Sequence, residues 1–118
     1  MNDEKLYELA FQIIVHAGES RSLSSEAMDA AENFDFDKAE ELLKKANDEF
    51  LECHQVQTDL LTKEANGEKS DINIILVHSQ DHLTMATMAM DNAKRWITLN
   101  KKLQKMEEKQ YEKCNVDM

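Results

Sequence analysis

The 118 residues contain no proline and only two glycines, Gly18 and Gly67. Strands need turns, and turns favour those two residues. A chain so poor in both is expected to run in long helices with very few joints. Gly18 lies inside an apolar series, where glycine costs roughly 1 kcal/mol against alanine. It therefore signals either close backbone contact or a local opening. Gly67 stands where a C-terminal helix stop is expected.

Hydrophobic periodicity divides the chain into three segments of one domain, residues 1–118. Helix 1 is expected over about residues 3–32, on the series Leu6, Ala10, Ile13, Ala17, Ser20, Ser24, Ala27 and Ala31. Its second half is almost all small, which allows another helix to approach closely. Helix 2 is expected over about 36–66, with Asp35 as its N-cap and the series Ala39, Leu43, Ala46, Phe50, Cys53, Gln57, Leu60. Helix 3 is expected over about 71–106, capped by Ser70 or Asp71 and followed by a charged, frayed tail to 118. The predicted fold class is all-α, a three-helix antiparallel bundle.

Helix 3 is the informative segment. Ile75, His78, His82, Met85, Ala89, Asn92, Trp96, Leu99, Leu103 and Met106 form one 3-4 series. Leu76, Leu83, Ala86, Met90, Ala93 and Ile97 lie to one side of it, and Ile74, Val77 and Met88 to the other. Together these sets cover more than half the circumference. Two neighbouring helices bury one stripe, so self-association through helix 3 follows.

The charge excludes whole classes of partner. With 14 Lys and Arg against 24 Asp and Glu, the net charge is −10. Nucleic acid and anionic membrane surfaces are held by the opposite surplus. No apolar run is long enough to span a bilayer, so no direct membrane insertion is expected. The acidic start lacks a secretion signal. Cys53 and Cys114 are far apart, which fits free thiols in a cytoplasmic protein.

His78, Asp81 and His82 fall at i, i+3 and i+4, on one face of an otherwise apolar helix. Burying polar groups there without partners would cost a few kcal/mol. Spacing alone favours a polar layer that sets the register of an assembly. A zinc hydrolase would want Glu after the first His, and a di-iron bundle two Glu-x-x-His motifs; neither is present. The third reading is a nucleophilic histidine, since neutral imidazole is available near pH 7. The Gln80 amide would then hydrogen-bond the incoming group, and His82 would orient the nucleophile or supply charge.

Five short motifs settle the order of these readings. Leu76-Val77-His78-Ser79-Gln80-Asp81-His82-Leu83 is the strongest. His16-Ala17-Gly18-Glu19-Ser20-Arg21-Ser22, Asp35-Phe36, His54-Gln55-Val56-Gln57-Thr58 and Glu64-Ala65-Asn66-Gly67-Glu68 complete the set. In this order and spacing, from about residue 6 to 105, the chain resembles the enzyme IIA component of the lactose/cellobiose (diacetylchitobiose) family of the bacterial sugar phosphotransferase system. The resemblance implies a cytoplasmic homotrimer. It implies that His78 accepts a phosphoryl group from the histidine phosphocarrier protein and passes it to a cysteine of enzyme IIB, during uptake of a β-linked disaccharide. It implies Gln80 and His82 around that site. It further implies that Asp81 and its copies hold a divalent metal, Mg2+ by preference, at the trimer axis. Phe34 departs from the family's glycine, and Ser79 and Ser20 stand for alanines. The rival class is a non-enzymatic helical assembly or metal-binding module whose His and Asp layer only sets register. His16 and His54 read as packing or interface residues, Arg21 as a solvated cation or a counter-charge for phosphate, and Gln57 as a satisfied core amide.

Overall fold

The computed structural model describes residues 3–69 and 71–116, with side chains through Cys114. It consists of α1 (Asp3–Glu32), α2 (Phe36–Ala65) and α3 (Ile74–Val116), a rod about 74 Å long and 20 Å wide. No described residue is in a strand. Leu6 and Leu76 line one cavity, and Ala31, Ala39 and Ile97 share a cluster at the other end. α1 and α3 therefore run parallel, with α2 antiparallel to both.

Both joints are chain reversals of the same kind. At the end of α2, Glu68 N–H donates to the Lys63 carbonyl and Gly67 N–H to that of Glu64, each at 3.0 Å, with Gly67 at φ +93°. At the end of α1, Asp35 N–H donates to the Ala30 carbonyl at 2.9 Å and Phe34 N–H to that of Ala31 at 3.0 Å. These are Schellman motifs, which need a left-handed residue after the helix. In the first joint that residue is Phe34, at φ +59°. The turn is thus kept without glycine, at the steric expense of a Cβ in the left-handed region. The Phe34 ring is half-buried and lies beside Phe36, with centroids 6.1 Å apart. Phe34→Gly and Phe34→Ala both lose the ring and differ only in backbone strain. Denaturant unfolding should find the glycine variant about 1 kcal/mol more stable than the alanine variant.

Every member of the α1 series is buried, and Ala39, Ala46 and Cys53 are the buried residues of α2. Asp35 caps α2, its carboxylate accepting from Lys38 N–H at 3.3 Å. Gly18 has no atom within 4 Å of where a Cβ would stand. It marks an opening, the floor of a groove between α1 and α3 of about 600 Å³.

α3 departs from expectation at both ends. It begins at Ile74, with Asn73 as the cap: Leu76 N–H donates to Asn73 Oδ1 at 2.9 Å. Asp71 precedes the helix as an exposed residue, and Ser70 lies outside the described residues. The helix then continues through the charged segment to Val116 instead of ending near 106. Charge did not stop it, because Lys, Gln, Glu, Leu and Met are good helix formers and no Gly or Pro interrupts them.

The face that α3 buries is not its longest series. Ser79, Leu83, Ala86, Met90, Ala93, Ile97 and Asn100 pack against α1 and α2. Ile74, Val77, Met85, Met88, Leu99, Leu103 and Met106 are left exposed, Ile74 to 88 % and Met88 to 60 %. A contiguous apolar stripe of this length on one helix is a surface awaiting cover.

Candidate functional site

Asn73 fixes where the first turn of α3 begins and thereby sets the directions of the next side chains. At about 100° per residue, His78, Asp81 and His82 project within a narrow sector. His78 Nε2 lies 3.0 Å from His82 Nε2, with the ring planes at 88° and centroids 4.5 Å apart. Two neutral imidazoles meeting nitrogen to nitrogen need one N–H and one lone pair between them. His78 is exposed and His82 half-buried. His78 and Asp81 line an open groove of about 430 Å³, whose other walls are Ile72, Asn73, Ile74 and Val77.

Burial is the chief cause that holds the His82 pKa below its ordinary 6.5; the nearby His78 and Arg21 act in the same direction, and Asp81 opposes them. His82 is thus kept neutral, the state in which it can share one hydrogen with His78. Its Nδ1 is buried without a hydrogen-bond partner among the described residues. A depressed histidine pKa means that the unfolded chain takes up the proton first as pH falls. The fold therefore loses stability as pH drops below 6.5. His82→Gln should reduce that loss, read as a shallower fall in unfolding free energy across the acid limb.

Gln80 is two residues from His78 and so about 200° around the helix. It faces α2, where its carbonyl oxygen accepts from the Gln57 side-chain N–H. Within one chain, then, His78 and His82 meet, Asp81 shares the groove of His78, and Gln80 looks to the opposite flank of α3. Asp81 stands exposed on the apolar stripe. No three His, Cys, Asp or Glu side chains of the described residues converge as a metal site. His16 Nδ1 lies 2.6 Å from Glu49 Oε2 and ties α1 to α2. His54 is exposed beside Phe50, and Arg21 is exposed on the α1–α3 groove. Cys53 is buried and Cys114 exposed, both as free thiols. Of the groove walls, Ile72 escapes the periodic reading, because it precedes α3, where no repeat has begun.

Residues 8–101 match the family model described as "PTS system, Lactose/Cellobiose specific IIA subunit". The chain belongs to this family. A lactose-specific EIIA component of the phosphotransferase system from Lacticaseibacillus casei is 38% identical over 107 residues, 91% of this chain and 96% of that one. The crystal structure of the cellobiose-specific enzyme IIA from Bacillus anthracis superposes with a TM-score of 0.82 at 36% identity, over 88% of this chain and 94% of that one. The IIA(Chitobiose) of the Escherichia coli phosphotransferase system, solved in complex with HPr, gives 0.72 at 31% identity, over 82% and 94%. The groove and the histidine pair lie inside the region that the IIA family model matches. The part of α3 beyond residue 101 lies outside it. No helix among the described residues is long and apolar enough to cross a membrane.

Proposed function

We propose that this chain is a phosphocarrier in the uptake of a β-linked disaccharide. His78 takes a phosphoryl group from the histidine phosphocarrier protein and gives it to a cysteine of enzyme IIB. The observation that carries this reading is the exposed His78 imidazole, in hydrogen-bond reach of a neutral His82 at the edge of an open groove. The name of the E. coli relative's complex, with HPr as partner, supports the donor.

The step needs no added reagent. With His82 Nε2–H donating, the His78 Nε2 lone pair is available and Nδ1 keeps the other proton. Nε2 attacks phosphorus, the donor's N–P bond breaks, and the donor imidazole leaves with that electron pair. His82 N–H then turns to a phosphoryl oxygen. In the second half a thiolate of enzyme IIB attacks phosphorus, and His78 leaves as neutral imidazole. Imidazole is nucleophile enough, so catalysis is positioning and charge stabilisation.

The same reading has three copies meeting along the apolar stripe of α3, in the cytoplasm. Asp81 then faces its own copies. Oxygen donors of this kind suit a hard divalent cation such as Mg2+, and three like carboxylates at an axis would otherwise repel. Such an ion would supply assembly charge balance, outside the transfer itself. Gln80, held by Gln57 on the far flank of α3, would serve the site around a second copy's His78. The test is direct. Incubation with the general phosphotransferase components and phosphoenolpyruvate should leave an acid-labile, base-stable phosphate on His78. A phosphate elsewhere, or none, sinks the reading, and none would favour a purely structural assembly.

A further inference from the structure

A glutamine amide has two unlike ends, an oxygen that accepts and an NH2 that donates. Its outer torsion is broad, so a free amide offers either end. Gln80 is not free. Its carbonyl oxygen accepts from Gln57 Nε2–H, which reaches across from α2. The Gln80 NH2 is thereby turned away from Gln57. Among the described residues it has no hydrogen-bond partner, and it is not buried. Both amides line a socket of about 270 Å³ between α2 and α3, together with Leu60, Leu76 and the carboxylate-bearing Glu64. Gln57 itself stands half-buried in the apolar series of α2, between Cys53 and Leu60. Its side chain bonds to Gln80 and to no other described residue. An apolar side chain would suit that position in the stripe better, so the polar group at 57 answers to Gln80.

We infer that Gln57 is a positioning residue for phosphoryl transfer: it fixes the Gln80 amide so that the two N–H donors, and not the carbonyl oxygen, face the phosphoryl group. This rests on the function given above, in which Gln80 serves a second copy's His78. A phosphoryl group carries about two negative charges and three acceptor oxygens. Gln80 N–H groups attract it, and a Gln80 amide turned over would repel it with its oxygen. Glu64 at the same socket already repels an anion, so the direction of the amide decides whether this flank helps or opposes the transfer. A donor pair held in place beforehand needs no reorganisation when charge arrives. Gln57 does this without touching phosphorus. It uses its own N–H on the Gln80 oxygen, the one end of that amide that must be kept away.

The experiment measures the single-turnover rate of phosphoryl transfer from phosphorylated histidine phosphocarrier protein to the full chain, at saturating donor. Gln80→Ala should slow it about tenfold, the scale of one hydrogen bond to a charged group. Gln57→Met keeps the length of the side chain and removes the N–H. It frees the Gln80 amide and should cost about fivefold, the scale of one neutral hydrogen bond. Gln57→Glu keeps the shape but can only accept. It draws the Gln80 NH2 inward, turns the oxygen out, and should be at least as slow as Gln80→Ala. The KM for the donor should hold in all three. In the Gln80→Ala background neither change at 57 should slow transfer further, a result that a structural role for Gln57 would not give. Rates that multiply in the double variants overturn the inference, as does a wild-type rate in Gln57→Met. A loss of rate that follows a lowered melting temperature or a changed sedimentation overturns it too. If Gln80→Ala itself transfers at the wild-type rate, Gln57 has nothing to position, and the inference falls while His78 stays the acceptor. A wild-type chain that takes no phosphate at all would instead remove the underlying function.

Discussion

His78→Ala is expected to abolish phosphoryl acceptance while leaving the helical signal and the melting transition almost unchanged. The two halves of this result have separate causes. The imidazole is the nitrogen nucleophile exposed at the groove, whereas His82 is turned inward with a buried Nδ1. Removing it should leave no acid-labile phosphate, a loss of at least a thousandfold in transfer rate, on the scale of a missing nucleophile. The fold should not follow, because His78 is exposed and its one ring partner is His82. Residual labelling of the variant at more than a few per cent of wild type would move the acceptor to another residue. His82→Gln offers the contrast. It keeps the nucleophile and should slow transfer without abolishing it.

Leu99→Glu should convert the proposed assembly of copies to monomers of 13.6 kDa in sedimentation at micromolar concentration. Leu99 is 53 % exposed in the single chain, so a carboxylate there is solvated and the three-helix core tolerates it. In an assembly built on the α3 stripe the same position loses burial in every copy. At about 2 kcal/mol per leucine, three copies lose roughly 6 kcal/mol, before the desolvation of three carboxylates is counted. That is more than four decades in the association constant. Asp81→Leu is the opposite test on the same face. It exchanges like charges for apolar contact and should leave the assembly insensitive to chelators. An oligomer that survives Leu99→Glu unchanged would mean that this stripe is covered by something other than a second copy.

Much of this arrangement was legible in the residues. The α1 series from Leu6 to Ala31 is the buried face because it runs the length of the helix, whereas the second apolar set, Tyr7, Phe11 and Val15, stops at mid-helix and stays exposed. Asp35 caps α2 because its carboxylate reaches a free N–H locally, without help from the rest of the fold. Gly67 closes α2 for a similarly local reason. α3 was legible only in part. It carries apolar residues on more than half its circumference, and periodicity cannot rank faces that are all apolar. Its longest series runs through His78, His82, Met85 and Leu99, and the two flanking sets are just as apolar. The bundle instead buries Leu83, Ala86, Met90, Ala93 and Ile97. Small residues at 86 and 93 let α1, with its own small face, come close. The segment beyond Met106 is helical although its charged residues are exposed. A continuous helix needs only its own hydrogen bonds and a sequence without breakers.

The near absence of glycine and proline therefore determined that this chain would be three long helices, and the motif around His78 determined which family it joined. Local hydrogen bonding and periodicity suffice for that, since both act within a few residues. The direction of each polar group was decided by the tertiary structure. Asn73 starts α3 where it does, which puts His78 against His82 and opens His78 to the groove it shares with Asp81. The same register turns Gln80 onto Gln57 and leaves Asp81 on the uncovered stripe. Spacing gives the angles between side chains on a helix. Only packing against α1 and α2 sets which of those angles point inward, because that choice depends on the volumes and faces of all three helices together.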